Sequence, residues 1–145
     1  MYKAHIKEIE KVQRRATKLV KPICELDYPE RLKALNLTTL TYRRMRTDVL
    51  QVFRIFKGFD KLDYRDFFEL SETGLRGHKW KLKTPTTESR LRQNSFSCRV
   101  INTWNSLPSK VIDSPSINSF KNALEKHWKH LEIKYDPDDP NYDYS

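Results

Sequence analysis

Between Arg90 and Trp128 the apolar residues recur at helical intervals. Phe96, Val100, Ile101, Trp104 and Leu107 are separated by four, one, four and three positions, which puts them on one face of a helix. Pro108 stops that helix, because its ring removes a donor and pushes the preceding residue out of the α region. A second helix follows Pro115, with Ser116 as its cap and Ile117, Phe120, Ala123, Leu124, Trp128 and Leu131 along one stripe. Each aromatic ring in this hairpin can bury about 150–250 Å². The hairpin is therefore the predicted core, and the rest of the chain is expected to pack around it.

Upstream, Ile6, Ile9, Val12, Ala16, Leu19 and Val20 form an apolar stripe on a predicted helix from His5 to Val20, which Pro22 ends. Met1 precedes it by a few residues with no capping residue between, as expected of a helix cut from a longer chain. Asp27-Tyr28-Pro29-Glu30 is a helix start, with Asp27 or Tyr28 near the cap and proline in the first turn, leading into a short apolar helix through Leu32, Leu35 and Leu37. Thr38 or Thr39 caps the longest predicted helix, Leu40 to Phe56, whose apolar face is Tyr42, Met45, Val49, Val52, Phe53 and Phe56. Gly58 is its C-terminal cap. Residues Leu62 to Leu70 are predicted as a further short helix. In Gly77 to Lys83 the period changes to two, with Lys79, Lys81 and Lys83 on one side and Trp80 and Leu82 on the other. That alternation predicts an extended segment or β-hairpin near 77–92.

The expected fold is mainly α: about six helices in one domain over residues 1–132, then an acidic tail, 133–145. The tail has prolines, aspartates and no apolar period, so it is expected to be disordered. At 145 residues, one domain is what the length suggests. No apolar run approaches the ~20 residues of a membrane helix, so no membrane partner is expected and the chain is read as soluble and intracellular, in nucleus or cytoplasm. Cys24 and Cys98 stand singly and are read as reduced thiols, a lone disulfide being the alternative.

Charge adds what periodicity cannot. The net charge is +9, and it is concentrated: residues 1–58 carry +8 and residues 76–110 carry +7, while the tail from 131 carries −4. On the first helix, Lys7, Lys11, Arg14 and Lys18 are spaced by four, three and four and so form one line, with Arg15 beside it. Arg43 and Arg44, with Arg46, lie in the first turn of the longest helix, where the helix dipole disfavours cations unless an anion sits nearby. In the second block Arg76, Lys79, Lys81, Lys83, Arg90, Arg92 and Arg99 surround Trp80, a mixture suited to backbone phosphates and base stacking. The competing reading of each set is a solvated face or arginine stems lying over apolar surface.

Catalytic chemistry finds little to build on. Three glycines are too few for a phosphate-binding loop. His5, His78, His127, His130 and the two cysteines contain no CxxC to complete a zinc site. Ser95, Ser97 and Cys98 have no base in a recognisable motif. Tyr135-Asp136-Pro137-Asp138-Asp139 superficially resembles a polymerase metal loop, but it is out of register and lies in a proline-broken tail. No cofactor and no active site are expected on this chain.

With these residues in view, the chain resembles the C-terminal region of non-LTR retrotransposon (LINE) polyproteins of the jockey and chicken-repeat type. The resemblance rests on Ile9 to Lys18 (IEKVQRRATK), Tyr28 to Leu37 (YPERLKALNL), Tyr42-Arg43-Arg44, Phe53 to Gly58 (FRIFKG), Arg76-Gly77-His78, Phe96 to Pro108 (FSCRVINTWNSLP) and Asn118 to Lys121 (NSFK). It covers roughly residues 6 to 130. In that family an endonuclease and a reverse transcriptase precede this segment, and the element copies its RNA into DNA. The resemblance implies a piece of such a polyprotein that follows the polymerase palm. The family's catalytic aspartates have no match here, so no polymerase activity is expected from this chain. The expected partners are RNA or DNA, held by their backbones, and the upstream polymerase domain. The alternatives are a helical scaffold that docks on that domain without touching nucleic acid, and an inactive remnant.

Overall fold

The computed structural model describes residues 3–72, 77–84 and 99–139. Six α-helices run through them: α1 (Lys3–Lys18), α2 (Tyr28–Ala34), α3 (Leu40–Phe56), α4 (Ile101–Asn105), α5 (Ser109–Ile112) and α6 (Ile117–His127). Single 3-10 turns lie at Lys21–Ile23, Tyr64–Asp66 and Glu132–Lys134. Among the described residues there is no strand; an isolated antiparallel bridge joins Leu70 to Leu82. The fold is mainly α. The helical body that length suggested as one domain divides into two compact units, Met1–Arg44 with His130–Ser145, and Met45–Lys129.

In the first unit α2 is fully specified by local chemistry. Asp27 accepts a hydrogen bond from the Glu30 N–H, and Pro29 occupies the first turn. At its other end Asn36 takes a left-handed conformation (φ 55°), with Leu37 N–H on the Leu32 carbonyl at 2.8 Å and Asn36 N–H on Lys33 at 3.1 Å. Those two bonds close a Schellman cap. Thr39 caps α3 through its hydroxyl oxygen, which accepts from Tyr42 N–H at 3.2 Å.

α1 forms as predicted but is turned about its axis, so that one flank of the predicted stripe faces inward in place of its centre. Its inward side carries Glu10, Gln13 and Thr17, the first and last being 3 % exposed. Of the predicted stripe, Ile6 is half-buried, whereas Ile9, Val12 and Leu19 are 45 %, 65 % and 82 % exposed, and Ala16 and Val20 are exposed too. The reason lies in what α1 meets. Tyr28, Arg31, the Thr38 carbonyl and the Leu40 N–H offer polar groups, and buried polar groups require partners. Glu10 accepts from the Tyr28 hydroxyl and from Leu40 N–H at 2.8 Å. Gln13 donates to the Tyr28 oxygen and the Thr38 carbonyl, both at 3.0 Å. Thr17 accepts from the Arg31 guanidinium at 3.1 Å.

The first seven residues of the tail are not disordered as composition suggested. Ile133 is buried, the Thr39 hydroxyl donates to its carbonyl, and Thr39 N–H donates to the Lys134 carbonyl at 2.9 Å. Tyr135 lies between Lys33 and Lys134, 5.3 and 5.9 Å from their ammonium groups. One buried isoleucine and two hydrogen bonds tie down a segment whose average composition is disorder-like. Residues 140–145 lie outside the described ones.

The second unit holds the predicted hairpin core except Leu131, which is exposed and lies beyond the end of α6. Val100, Ile101, Trp104, Leu107, Phe120, Leu124 and Trp128 are buried, and Phe53 of α3 stacks on Phe120 with centroids 4.1 Å apart. Phe96 lies outside the described residues. Ser116 caps α6 by accepting from Ser119 N–H at 3.1 Å. Between Pro108 and Pro115 the predicted turn includes α5, which buries Val111 and Ile112. Gly58 (φ 73°) closes α3 in a second Schellman cap, with Phe59 N–H on Arg54 at 3.0 Å and Gly58 N–H on Ile55 at 3.3 Å.

The helix expected over Leu62 to Leu70 is instead the 3-10 turn at Tyr64–Asp66, which then straightens to pair Leu70 with Leu82. Asp63 accepts from Arg65 N–H at 2.9 Å and so favours the tight turn over an α-helical start. Of the extended segment expected from 77, Lys79 and Trp80 instead form a turn, and only Lys81 to Lys83 run extended, with Leu82 buried, Ser71 N–H on the Lys81 carbonyl at 2.8 Å and Lys83 N–H on the Glu69 carbonyl at 2.7 Å; its predicted continuation, 85–92, lies outside the described residues. Asn105 completes it by accepting from Leu82 N–H (2.7 Å) and donating to the Leu82 carbonyl (2.8 Å), as a neighbouring strand would.

Candidate nucleic-acid interface

On the first unit the turned α1 presents its cations beside α2. Arg14, Arg15 and Lys18 line a cleft of about 500 Å³ with Tyr28 and Arg31, and Asp136 to Asp138 form its other wall. The floor is built by aromatic and guanidinium stacking. Arg14 lies 4.9 Å and Arg31 5.5 Å from the Tyr28 ring centroid. Arg31 is 4 % exposed and donates to Thr17, to the Leu26 carbonyl and to the Arg14 carbonyl, so its charge is fixed in place. Burial and the Glu10 hydrogen bond push the Tyr28 phenol above its ordinary range, so it remains a neutral donor.

A second, smaller cavity of about 80 Å³ adjoins it at the N-terminus of α3. Lys7, Lys11, Arg14, Glu10, Thr41 and Asp138 contribute to its lining. Among the described residues the buried Thr41 hydroxyl has no hydrogen-bond partner. Arg14 meets Asp138 at 3.5 Å, and Lys11 meets Glu8 at 2.6 Å, which holds the Glu8 carboxyl below its usual range. Arg43 reaches Gln13 at 3.4 Å, and Arg44 is half-buried.

In the second unit the basic block has a different character. Arg99 makes a bidentate pair with Asp48, at 2.7 and 2.8 Å, and is a structural clasp with little charge left for a ligand. Lys83 meets Glu69 at 3.3 Å. The Lys79 ammonium lies 5.6 Å from the Trp80 ring. Trp80, read as a stacking platform, is half-buried with its ring 5.4 Å from Phe56, and its carbonyl accepts from the Trp104 indole at 2.9 Å. Lys81 lies over Gly77, whose φ of 96° and lack of a Cβ allow that approach. Arg76, Arg90 and Arg92 lie outside the described residues.

His78 belongs to the core. Trp80 N–H can only donate, so Nδ1 accepts from it at 3.1 Å; the Trp104 carbonyl can only accept, so Nε2 carries the proton, also at 3.1 Å. Burial lowers its affinity for a second proton. Cys24 is a free thiol, and Cys98 lies outside the described residues. Among the described residues no three His, Cys, Asp or Glu side chains gather as a metal site, and no helix is long and apolar enough to cross a membrane.

Sequence reasoning missed Tyr28, Arg31, Thr41 and the tail aspartates as parts of the site. The three-residue spacing of Tyr28 and Arg31 on α2 was a usable signal, since it puts ring and guanidinium on one face. Nothing in the periodicity distinguishes Thr41. No family model matches this chain, and neither a curated protein nor a solved structure does.

Proposed function

We propose that this chain is the C-terminal segment of a LINE-type reverse-transcriptase polyprotein, without catalysis of its own, and that it holds RNA or DNA by the sugar–phosphate backbone. The observation that carries the binding role is the gathering of Arg14, Arg15, Lys18 and Arg31 around an open cleft, with Lys7 and Lys11 continuing the line. Cations so placed neutralise phosphates and release counterions, giving affinity with no sequence information. Family origin rests on the ordered motifs of the sequence. Several of them coincide with packing features: Tyr28 and Arg31 in the cleft, His78 against Trp104, Asn105 against Leu82.

Fluorescence anisotropy with labelled oligouridylate and oligothymidylate, from low to high salt, tests the role. The wild-type chain is expected to bind with Kd on the order of 10⁻⁴–10⁻⁶ M near physiological salt. Changing Lys7, Lys11, Arg14 and Lys18 together to Gln should flatten the slope of log K against log salt by up to about 3. An unchanged slope removes this face from any binding role. A second reading, a scaffold docking on the polymerase domain, draws on the exposed Ile9, Val12 and Leu19 edge of α1. It leaves the wild-type chain with no salt-dependent binding at all.

A further inference from the structure

The smaller cavity has features that a merely solvated cationic face lacks. It opens at the first turn of α3, a 17-residue helix whose N-terminal N–H groups carry partial positive charge. Lys7, Lys11 and Arg14 supply three cations. Both oxygens of Glu10 are already engaged, by Tyr28 and by Leu40 N–H, so Glu10 is part of the frame. Thr41 lines the cavity, and among the described residues its buried hydroxyl has no hydrogen-bond partner, a costly arrangement unless something accepts from it. At about 80 Å³ the space is large enough to admit a small oxyanion.

One anion already lies at its edge. Asp138, tethered by Asp138 N–H on Asp136 (3.0 Å) and by the anchored Ile133 turn, brings its carboxylate to Arg14. That pair is loose and exposed at both ends, 45 % and 63 %, so its strength in water is small. A phosphodiester carries the same charge on two tetrahedrally disposed oxygens, one of which can accept a hydrogen bond from the Thr41 hydroxyl.

We infer that this cavity is a seat for one backbone phosphate, bound by Lys7, Lys11, Arg14 and the Thr41 hydroxyl, and that Asp138 is a built-in competitor which the phosphate displaces. The inference rests on the nucleic-acid reading above and adds to it a specific contact and a self-limiting tail. It distinguishes one neutral side chain, Thr41, from the general field of cations.

The test is oligouridylate and oligothymidylate anisotropy on the full chain with Thr41→Val and Asp138→Asn, using Asp66→Asn as a charge control. Asp66 is exposed in the other unit and removes the same unit of charge. Thr41→Val should weaken binding about three- to tenfold with the salt slope unchanged, since no cation is lost. Its folding should be intact, because a methyl replaces an unpartnered hydroxyl. Asp138→Asn should tighten binding several-fold beyond Asp66→Asn. Amide exchange at residues 136–139 should quicken when nucleic acid is added to the wild-type chain. If the wild-type chain binds with the expected salt slope while Thr41→Val and Asp138→Asn match the wild-type chain and the control, the seat is wrong and general backbone binding stands. Absence of salt-dependent binding by the wild-type chain removes both.

Discussion

The orientation of α1 makes the sharpest prediction, because pattern and packing assign opposite roles to two neighbouring residues. By periodicity Val12 belongs to the core and Glu10 to the surface; in the fold Val12 is 65 % exposed and Glu10 is 3 % exposed. Glu10→Ala removes the acceptor for the first N–H of α3 and the acceptor for the Tyr28 hydroxyl. Loss of a helix cap costs about 0.5–2 kcal/mol. A buried donor left without a partner costs about 1–3 kcal/mol. With some relaxation of Tyr28 toward Gln13, about 2–4 kcal/mol is expected in total. Glu10→Gln keeps one carbonyl oxygen and should lose about half of that. Val12→Ser should change stability by no more than about 0.5 kcal/mol.

Urea unfolding followed by far-UV circular dichroism reads these differences, and amide exchange at Leu32 and Tyr42 places them in the first unit. With a slope of about 1–3 kcal/mol/M, Glu10→Ala should lower the midpoint by roughly 1–2 M. Should Glu10→Ala prove neutral while Val12→Ser destabilises by more than about 1.5 kcal/mol, the apolar edge is the buried one and the cleft is misassigned.

Two further expectations concern the second unit. His78 is held neutral by burial and by the Trp80 N–H donating to Nδ1, so its affinity for a second proton in the fold is lower than in the unfolded chain. The unfolded chain then binds more protons as pH falls below about 6.5, and stability should decline there by at most about 1.4 kcal/mol per pH unit, levelling off once the folded ring also protonates. His78→Gln should flatten that decline; an identical decline would assign it to other groups. Gly58→Ala meets open space but forces a Cβ residue to φ 73°, so about 1 kcal/mol and a drop of about 2–4 °C in Tm are expected. Gly58→Asn should cost less. Equal melting temperatures for Gly58→Ala and the wild-type chain would argue against the left-handed cap.

The caps, two of them to within one residue, and most of the hairpin core were legible in the sequence because they depend on neighbours along the chain. Asp27, Thr39, Ser116 and Gly58 act within one turn of their own positions, and Trp104 and Phe120 sit on stripes too apolar to face water. The line of cations on α1 was equally plain, since the helical period alone aligns Lys7, Lys11, Arg14 and Lys18. What the period leaves open is which flank of a helix turns inward. Only the fold decided that, by setting the Tyr28 hydroxyl, the Arg31 guanidinium and the Leu40 N–H against α1, where unpaired burial costs more than leaving Val12 in water. The same long-range pairing anchors Ile133, carries Asp138 to Arg14 and draws Arg99 onto Asp48. Those contacts join residues dozens of positions apart, so no local pattern records them.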